Sequence, residues 1–187
     1  MYGLVNNGVR TYVIEHHGTA CWSAICAKAG VDEQEFETMT AYDDAITNAM
    51  VGAVSETLGL TVETVLEVFG RYWVGFAQST AIGKLIDMSG NTFWDRLRGL
   101  DDMHERIRNT MPELDPPGFD LEDMPDGSRR LHYHSSRNGL APMVVGLLHG
   151  LAEECGIEVR IDHLVAKADG ADHDVFGLSI MTSEAAA

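Results

Sequence analysis

Apolar residues recur at helical spacing through the first two-thirds of the chain. Positions three or four residues apart predict amphipathic helices, and a glycine or proline after such a run marks its end. By this pattern, helices are predicted over about 4–16, 21–29, 45–58, 62–76 and 92–111, with a minor turn over 82–88. Thr61 is the expected N-cap of the fourth helix, and Thr92 with Asp95 has the form of a capping box that opens the fifth.

The hydrophobic period changes to two after Pro116 and Pro117. Alternation over 131–135, 157–162 and 174–181 predicts strands, and a helical pattern over 141–154 interrupts them. Helices first and antiparallel strands later predict an α+β fold: an N-terminal helical lobe, then an antiparallel sheet lobe with an inserted helix. We expect one domain over 1–182, with a helical subdomain over about 1–111 and a sheet-containing subdomain over about 112–182. Residues 183–187 are expected to be a frayed tail.

Composition limits the partners that this domain could have. The chain has 187 residues and a formal net charge of -16, which argues against nucleic acid and against anionic membrane surfaces, because both attract Lys and Arg. No apolar run is long enough for a membrane span, and no signal peptide is visible. Three cysteines without Cys-x-x-Cys spacing fit a reducing compartment. We therefore expect a soluble, cytoplasmic protein.

Tyr133, Ser135 and Arg137 stand at alternate positions and form the motif Tyr-x-Ser-x-Arg. If this stretch is a strand, its period of two places the three side chains on one face. Two hydroxyls and a permanently charged guanidinium suit a carboxylate or a phosphate. The motif alone allows a substrate, a phosphate or a surface ion pair. His132 and His134 are expected on the opposite, solvent face, where they lack a third metal ligand in register.

A histidine interrupts the apolar stripe of the helix predicted over 92–111. The stripe consists of Phe93, Leu97, Leu100, His104, Ile107 and Met111, at intervals of four or three residues. His104 is therefore predicted to point inward. A hydrogen-bonded core histidine would fit this pattern. A neutral imidazole in an apolar pocket is also a metal ligand, including the axial ligand of heme iron.

The inward histidine and the anion-binding motif together favour heme. A single inward histidine cannot build a zinc site, which needs three or four protein ligands. Heme brings four nitrogens of its own and needs only one histidine, and its two propionates are the kind of anion that Tyr133, Ser135 and Arg137 could receive. The helices supply the Met, Phe, Leu and Trp side chains that a large apolar pocket needs.

At these residues the sequence resembles the heme–nitric oxide/oxygen binding (H-NOX) family, which includes bacterial gas sensors and the heme domain of soluble guanylate cyclase. The combination of Tyr-x-Ser-x-Arg with an upstream His104 and the Pro116-Pro117 pair is the most specific part. The resemblance extends over about 1–181 and also includes the segments 1–6, 69–73, 100–104, 131–137 and 139–144.

The resemblance implies a b-type heme buried between the two lobes. It implies that His104 is the proximal ligand of the iron and that Tyr133, Ser135 and Arg137 hold the propionates. Pro117 matches a proline that presses on the porphyrin and bends it. A ring with fixed φ is suited to this role because it transmits strain rather than absorbing it.

The distal wall of the pocket is expected to select the gas. Family members that hold oxygen have a distal tyrosine that donates to it, and the corresponding position here is Met143, which cannot donate. Trp73 and Tyr2 match the same wall, and a hydrogen bond from either to the gas would raise oxygen affinity. Leu4 and Leu147 are expected to be plain walls. We therefore expect nitric oxide and carbon monoxide to bind and oxygen to be excluded.

These features predict a sensor rather than an enzyme. Release of His104 from the iron on nitric oxide binding would free its helix and let the heme relax against Pro117, and the helical lobe would move relative to the sheet lobe. The resemblance implies a separate effector, a histidine kinase or a cyclic-di-GMP enzyme. Two alternatives stay open. One is an enzyme that binds a carboxylate through Arg137, with His104 or Tyr133 as acid or base; the other is a carrier of an apolar acid without heme.

Overall fold

The structure, a computed structural model, describes residues 1–34, 36–80, 90–110 and 115–181. Its helices are α1 (Gly3–His17), α2 (Thr19–Ala29), α3 (Asp44–Leu58), α4 (Val62–Gln78), α5 (Phe93–Thr110) and α6 (Ala141–Glu154). Its strands are β1 (Gly118–Asp123), β2 (Arg129–His134), β3 (Glu158–Val165) and β4 (Asp174–Met181). The turn predicted over 82–88, the end of the fifth helix at Met111 and the predicted tail lie outside the described residues.

The helix ends follow the predicted signals. Gly18 and Gly59 close α1 and α3 with φ of 85° and 67°, a conformation that glycine adopts without a steric penalty. The hydroxyl of Thr61 accepts from the Thr64 N–H at 3.2 Å and caps α4. Thr92 accepts from the Asp95 N–H at 3.2 Å and donates its hydroxyl proton to the Asp95 carboxylate at 2.6 Å. Thr92 therefore caps α5 as predicted, and Asp95 bonds to its hydroxyl in place of the main-chain N–H that a capping box uses.

The four strands form one antiparallel sheet in the order β1-β2-β4-β3. The α+β class is thereby confirmed. Strand β1 was not predicted, because its sequence Gly-Phe-Asp-Leu-Glu-Asp is rich in residues that are rare in strands. Within β1 only Phe119 is fully buried, and it pairs with Tyr133 of β2.

Two apolar cores meet along the contact between α4 and α6. The first lies among α1 to α4, and its buried members include Val13, Trp22, Ile25, Met50 and Phe69. The second lies between the later helices and the inner face of the sheet, and its members include Phe93, Leu97, Leu131, Leu148 and Phe176.

Glycines let the backbones of α4 and α6 touch. A Cβ placed on Gly70 would lie 2.1 Å from the Met143 carbonyl oxygen, and one on Gly146 would lie 1.9 Å from the Glu67 carbonyl oxygen. This close crossing fixes the α6 residue Met143 relative to α4. Among the described residues no single helix is long and apolar enough to cross a membrane, although the bent pair α3 and α4 together pass that test by length and composition.

Candidate functional site

A large apolar cleft lies between the helical lobe and the sheet. It contains about 1330 Å³ of space not filled by protein atoms, part of it open to solvent. The nine residues that the sequence assigned to a heme pocket all line this cleft: Leu4, Trp73, His104, Pro117, Tyr133, Ser135, Arg137, Met143 and Leu147. The fold thus brings together residues that are more than a hundred positions apart in the chain.

His104 lies on α5 and faces the cleft. Its ring stacks on Phe119, with 5.5 Å between centroids and 22° between planes. Its Nδ1 is buried and has no hydrogen-bond partner among the residues that the structure describes. Burial, reinforced by Arg108 and opposed by Asp101, lowers the pKa of His104 to about 4. The imidazole is therefore neutral at pH 7, which is the form that can donate a lone pair to a metal.

The helix that carries His104 is tied to the sheet lobe by a carboxylate. Asp101, one helical turn earlier, accepts a hydrogen bond from the Phe119 N–H at 3.1 Å. The Phe119 ring in turn lies 5.3 Å from that of Tyr133. A chain of direct contacts therefore runs from α5 through β1 to β2. The sequence did not reveal Asp101, because its partner is a main-chain group of a strand that was not predicted.

Tyr133, Ser135 and Arg137 reach the cleft by a different route from the one expected. Only Tyr133 lies in β2, which ends at His134. Beyond the strand, the Ser135 hydroxyl accepts from the Arg137 N–H at 3.1 Å and forms a local turn. Period two therefore does not extend over the triplet, and this turn carries Arg137 to the cleft. Burial raises the pKa of the Tyr133 phenol, while a hydrogen bond with Ser135 acts in the opposite direction.

Arg137 stands at the mouth of the cleft and joins the two lobes. Its Nε donates to Asp44 at 2.8 Å, and its Nη1 donates to the Asp115 carbonyl oxygen at 2.7 Å. Asp44 also accepts from the amino group of Met1. Partial burial acts to raise the pKa of Asp44, but the hydrogen bonds and charges of Met1 and Arg137 outweigh it and hold that pKa below its usual value. No local pattern pointed to Asp44, which lies 93 residues from Arg137.

The remaining walls come from three helices. Met143 and Leu147 lie on α6, Trp73 on α4, and Leu4 on α1. The Trp73 ring packs 5.9 Å from Phe69 and 5.7 Å from Phe76. Tyr2 also lines the cleft, as do Pro116 and Pro117.

These residues fit a heme. The cleft is apolar along its walls, and cationic and hydroxyl groups lie at one edge. His104 presents a neutral imidazole with an unsatisfied buried nitrogen, and such a group in a native fold calls for a partner. Within the described residues no three His, Cys, Asp or Glu side chains form a metal site. A metal that brings its own macrocycle needs only one protein ligand.

Comparison with known proteins agrees with this chemistry. A family model described as Haem-NO-binding matches residues 2–163. The chain is 29% identical over 154 residues to soluble guanylate cyclase gcy-31 of Caenorhabditis elegans, and this match covers 82% of the chain and 22% of that protein. It is 29% identical over 161 residues to soluble guanylate cyclase 89Da of Drosophila melanogaster, covering 86% of the chain and 24% of that protein. The chain thus spans about a quarter or less of the length of these cyclases.

Solved structures share the fold. An H-NOX protein from S. oneidensis in the Fe(II)NO ligation state superposes with a TM-score of 0.87 at 21% identity, covering 97% of this chain and all of the other. The Fe(II) unliganded H-NOX protein from K. algicida superposes with a TM-score of 0.80 at 17% identity, covering both chains in full. At these identities the likeness concerns the fold alone.

Proposed function

The chain belongs to the Haem-NO-binding (H-NOX) family of heme-based gas-sensor domains, and from this premise we propose that it senses nitric oxide, also binds carbon monoxide and excludes oxygen. The observation that carries the proposal is the neutral, partly buried imidazole of His104, whose Nδ1 is buried without a partner among the described residues, in an apolar cleft with Tyr133, Ser135 and Arg137 at its edge. The family match favours a sensor over the carboxylate-binding enzyme and the heme-free carrier.

Each residue of the cleft has a proposed role toward a b-type heme. His104 would hold the iron through a ring nitrogen. Tyr133, Ser135 and Arg137 would receive the propionates, and Pro117 would press on the ring as a rigid wall. The bound heme would supply a ferrous iron that takes up a diatomic gas. Arg137 keeps its bonds to Asp44 and Asp115, so its contact with a propionate uses its remaining donors or replaces one of these bonds.

The proposed selectivity rests on the distal side chains. Bound oxygen carries partial negative charge and is stabilised by a hydrogen-bond donor, whereas nitric oxide and carbon monoxide need this help far less. Met143, Leu147 and Leu4 are apolar, and none can donate. Trp73 packs between Phe69 and Phe76 as a core residue does.

The proposed signal starts with a movement of His104. The His104 ring rests on Phe119, and Asp101 holds the main chain of that residue. Freed from the iron, α5 would therefore shift β1 with it and change how the sheet lobe sits against the helical lobe. The Arg137–Asp44 ion pair joins the lobes at the mouth of the cleft and would rearrange with them. A small local change thus biases two arrangements of packed elements.

The signal would pass to a separate protein, and we propose a histidine kinase or a cyclic-di-GMP enzyme as the effector. This part of the proposal rests on the resemblance to stand-alone members of the family, and a pull-down with candidate effectors in both gas states would test it.

A visible spectrum tests the proposal directly. The purified protein, reconstituted with hemin and reduced, is expected to show a Soret band that shifts with nitric oxide and carbon monoxide and stays unchanged in air-saturated buffer until oxidation. A stable spectrum of an oxygen complex would show that the protein does not exclude oxygen. A protein that stays colourless after reconstitution would overturn the sensor function altogether.

A further inference from the structure

The outer face of the sheet, on the side of β2 opposite Tyr133, carries a second group of metal-ligating side chains. The sequence placed His132 and His134 on this face without a third ligand. The fold brings a third histidine to them, because His173, the residue before β4, lies beside both: its Nε2 is 2.9 Å from His132 Nδ1, and its ring stacks on His134 with 4.2 Å between centroids.

Carboxylates hold the far nitrogens of this pair. His132 Nε2 lies 3.4 Å from a Glu122 carboxylate oxygen, and His173 Nδ1 lies 2.6 Å from an Asp172 carboxylate oxygen. An ionised carboxylate only accepts, so His173 Nδ1 donates to Asp172, while His132 Nε2, at the longer distance, donates to Glu122 in one of its two tautomers. A neutral imidazole has a single N–H. In that tautomer of His132 the two near nitrogens present lone pairs to each other across 2.9 Å and call for a cation between them, whereas in the other tautomer His132 Nδ1 donates to His173 Nε2.

A metal ion meets this requirement in a well-known way. A ligating histidine commonly donates its other ring N–H to a carboxylate, which fixes the tautomer and raises the basicity of the ligand. Asp172 holds His173 in this manner, and Glu122 lies within reach of His132 for the same role. Zinc–nitrogen bonds of about 2.0–2.1 Å in a tetrahedral site separate two ligand nitrogens by about 3.3 Å. Reaching that geometry from the observed 2.9 Å gap needs an outward shift of a few tenths of an ångström and a rotation of both rings, so that their lone pairs converge on the ion.

Further ligands and favourable charge surround the pair. Asp120 is the cross-strand partner of His132 and therefore shares its face. Glu122 and Asp172 add negative charge, while Arg130, the cross-strand partner of Glu122, partly opposes it. Within the described residues no three such side chains already converge as a complete ligand set. A third ligand must therefore turn toward the pair, and His134, already stacked on His173, is the nearest imidazole available.

We propose that His132 and His173 bind a divalent transition-metal ion of the zinc, nickel or copper class on the outer face of the sheet, with His134 or Asp120 completing its coordination. Imidazole nitrogens suit these ions. The site lies on the opposite face of β2 from Tyr133 and the cleft, so it does not depend on the proposed gas-sensing function.

Zinc titration of the tag-free, full-length protein after chelator treatment tests the proposal. Isothermal calorimetry is expected to show one equivalent bound with a micromolar dissociation constant. The variant His132→Gln/His173→Gln, which keeps polar side chains on the surface, should weaken binding at least tenfold. Glu122→Gln should weaken it less. His16→Gln/His17→Gln is the matched control, because it removes two adjacent histidines of α1 and should leave binding unchanged.

Histidine NMR distinguishes a metal ion bound between His132 and His173 from a proton shared by the two rings. Zinc should shift the Cε1 protons of His132 and His173 and leave those of His16 and His17 in place. If zinc does not perturb these two imidazoles and they titrate together as a unit that shares one proton, then a proton joins them. In that case the proposed metal site is wrong. Equal zinc affinity in the double variant would overturn it as well. Should that variant fail to fold, His134→Gln, Asp120→Asn and Glu122→Gln carry the same test, and unchanged affinity in all three would also contradict it.

Discussion

The carboxylate of Asp101 accepts a hydrogen bond, 3.1 Å long, from the main-chain N–H of Phe119. This bond spans the boundary between the helical lobe and the sheet lobe, and it lies one turn of α5 before His104. The His104 ring stacks on the Phe119 side chain. The same residue of β1 is thus in contact with α5 through both its main chain and its ring, so we expect α5 and β1 to move together.

Asp101→Ala should therefore loosen the contact between the lobes. It leaves the partly buried Phe119 N–H without its acceptor, which costs about 1–3 kcal/mol of unfolding free energy. Urea unfolding measures that loss, and hydrogen exchange should show faster exchange of the Phe119 amide. Asp102→Ala is the control, because Asp102 is exposed on the same helix. Equal losses in the two variants would show that the bond does not couple α5 to β1.

His104→Gly tests the proposed iron ligand. The variant should lose the protein–iron bond, and added imidazole should restore a five-coordinate ferrous spectrum, because the small ligand fills the space that the side chain left. The measurement is the visible spectrum of the reduced, heme-loaded protein with and without imidazole. His149→Gly, on α6, should behave as the unaltered protein does. Unchanged iron ligation in His104→Gly would show that His104 is not the protein ligand of the iron.

Asp44→Asn tests the ion pairs at the mouth of the cleft. The contacts with Met1 and Arg137 hold the pKa of Asp44 below its usual value. A lowered folded-state pKa means that the ionised carboxylate stabilises the fold above the unfolded-state pKa of about 3.9 and that this stabilisation is lost as pH falls through the folded-state pKa. Because Asp44 is 41% exposed, the loss at pH 7 should be only about 1 kcal/mol.

The stability difference between Asp44→Asn and the unaltered protein should therefore shrink below about pH 4. Thermal unfolding between pH 3 and pH 7 measures it. Asp43→Asn is the control: Asp43 caps α3 by accepting from the Ala45 N–H, and Asn caps as well as Asp does. A difference that stays constant across this pH range would rule out the ion pairs as its source.

Gly146→Ala tests the crossing of α4 and α6. Its new Cβ would lie 1.9 Å from the Glu67 carbonyl oxygen, so the helices must separate, at a cost of about 1–3 kcal/mol or more. Because α6 carries Met143 and Leu147, the same variant should change gas affinity. Gly52→Ala is the matched control, since nothing lies within 4 Å of its new Cβ, and it should stabilise α3 by about 0.5–1 kcal/mol. Denaturant midpoints of the two variants should therefore shift in opposite directions.

Local signals in the sequence were sufficient to predict the helices but not every residue of the candidate site. Periodicity and caps such as Thr92 placed the helix ends because neighbours along the chain determine them. The stripe of α5 pointed to His104 for the same reason. Strand β1 was missed because its acidic residues are poor strand formers, and its pairing with β2 stabilises it.

Partners distant in the chain could not be read from local pattern. Asp44 meets Arg137 across 93 positions, and His173 meets His132 across 41. Only the packing of the lobes and the register of the sheet create these pairs. The turn formed by Ser135 and the Arg137 N–H likewise replaces the strand that a simple alternation suggested.

Met143→Tyr tests the proposed exclusion of oxygen. Met143 lies on α6 and lines the cleft, so a phenol at this position could donate to the partial negative charge of bound oxygen. A hydrogen bond to a charged acceptor contributes about 1.5–3 kcal/mol, which corresponds to a gain in oxygen affinity of about 10- to 150-fold. Met143→Phe has nearly the same shape and no hydroxyl, so it should not gain oxygen binding. The measurement is the oxygen-dependent shift of the Soret band of the ferrous protein. Equal oxygen affinity in the Tyr and Phe variants would show that a donor at this position does not control the choice of gas, and Trp73 and Tyr2 would then be the donors to remove next.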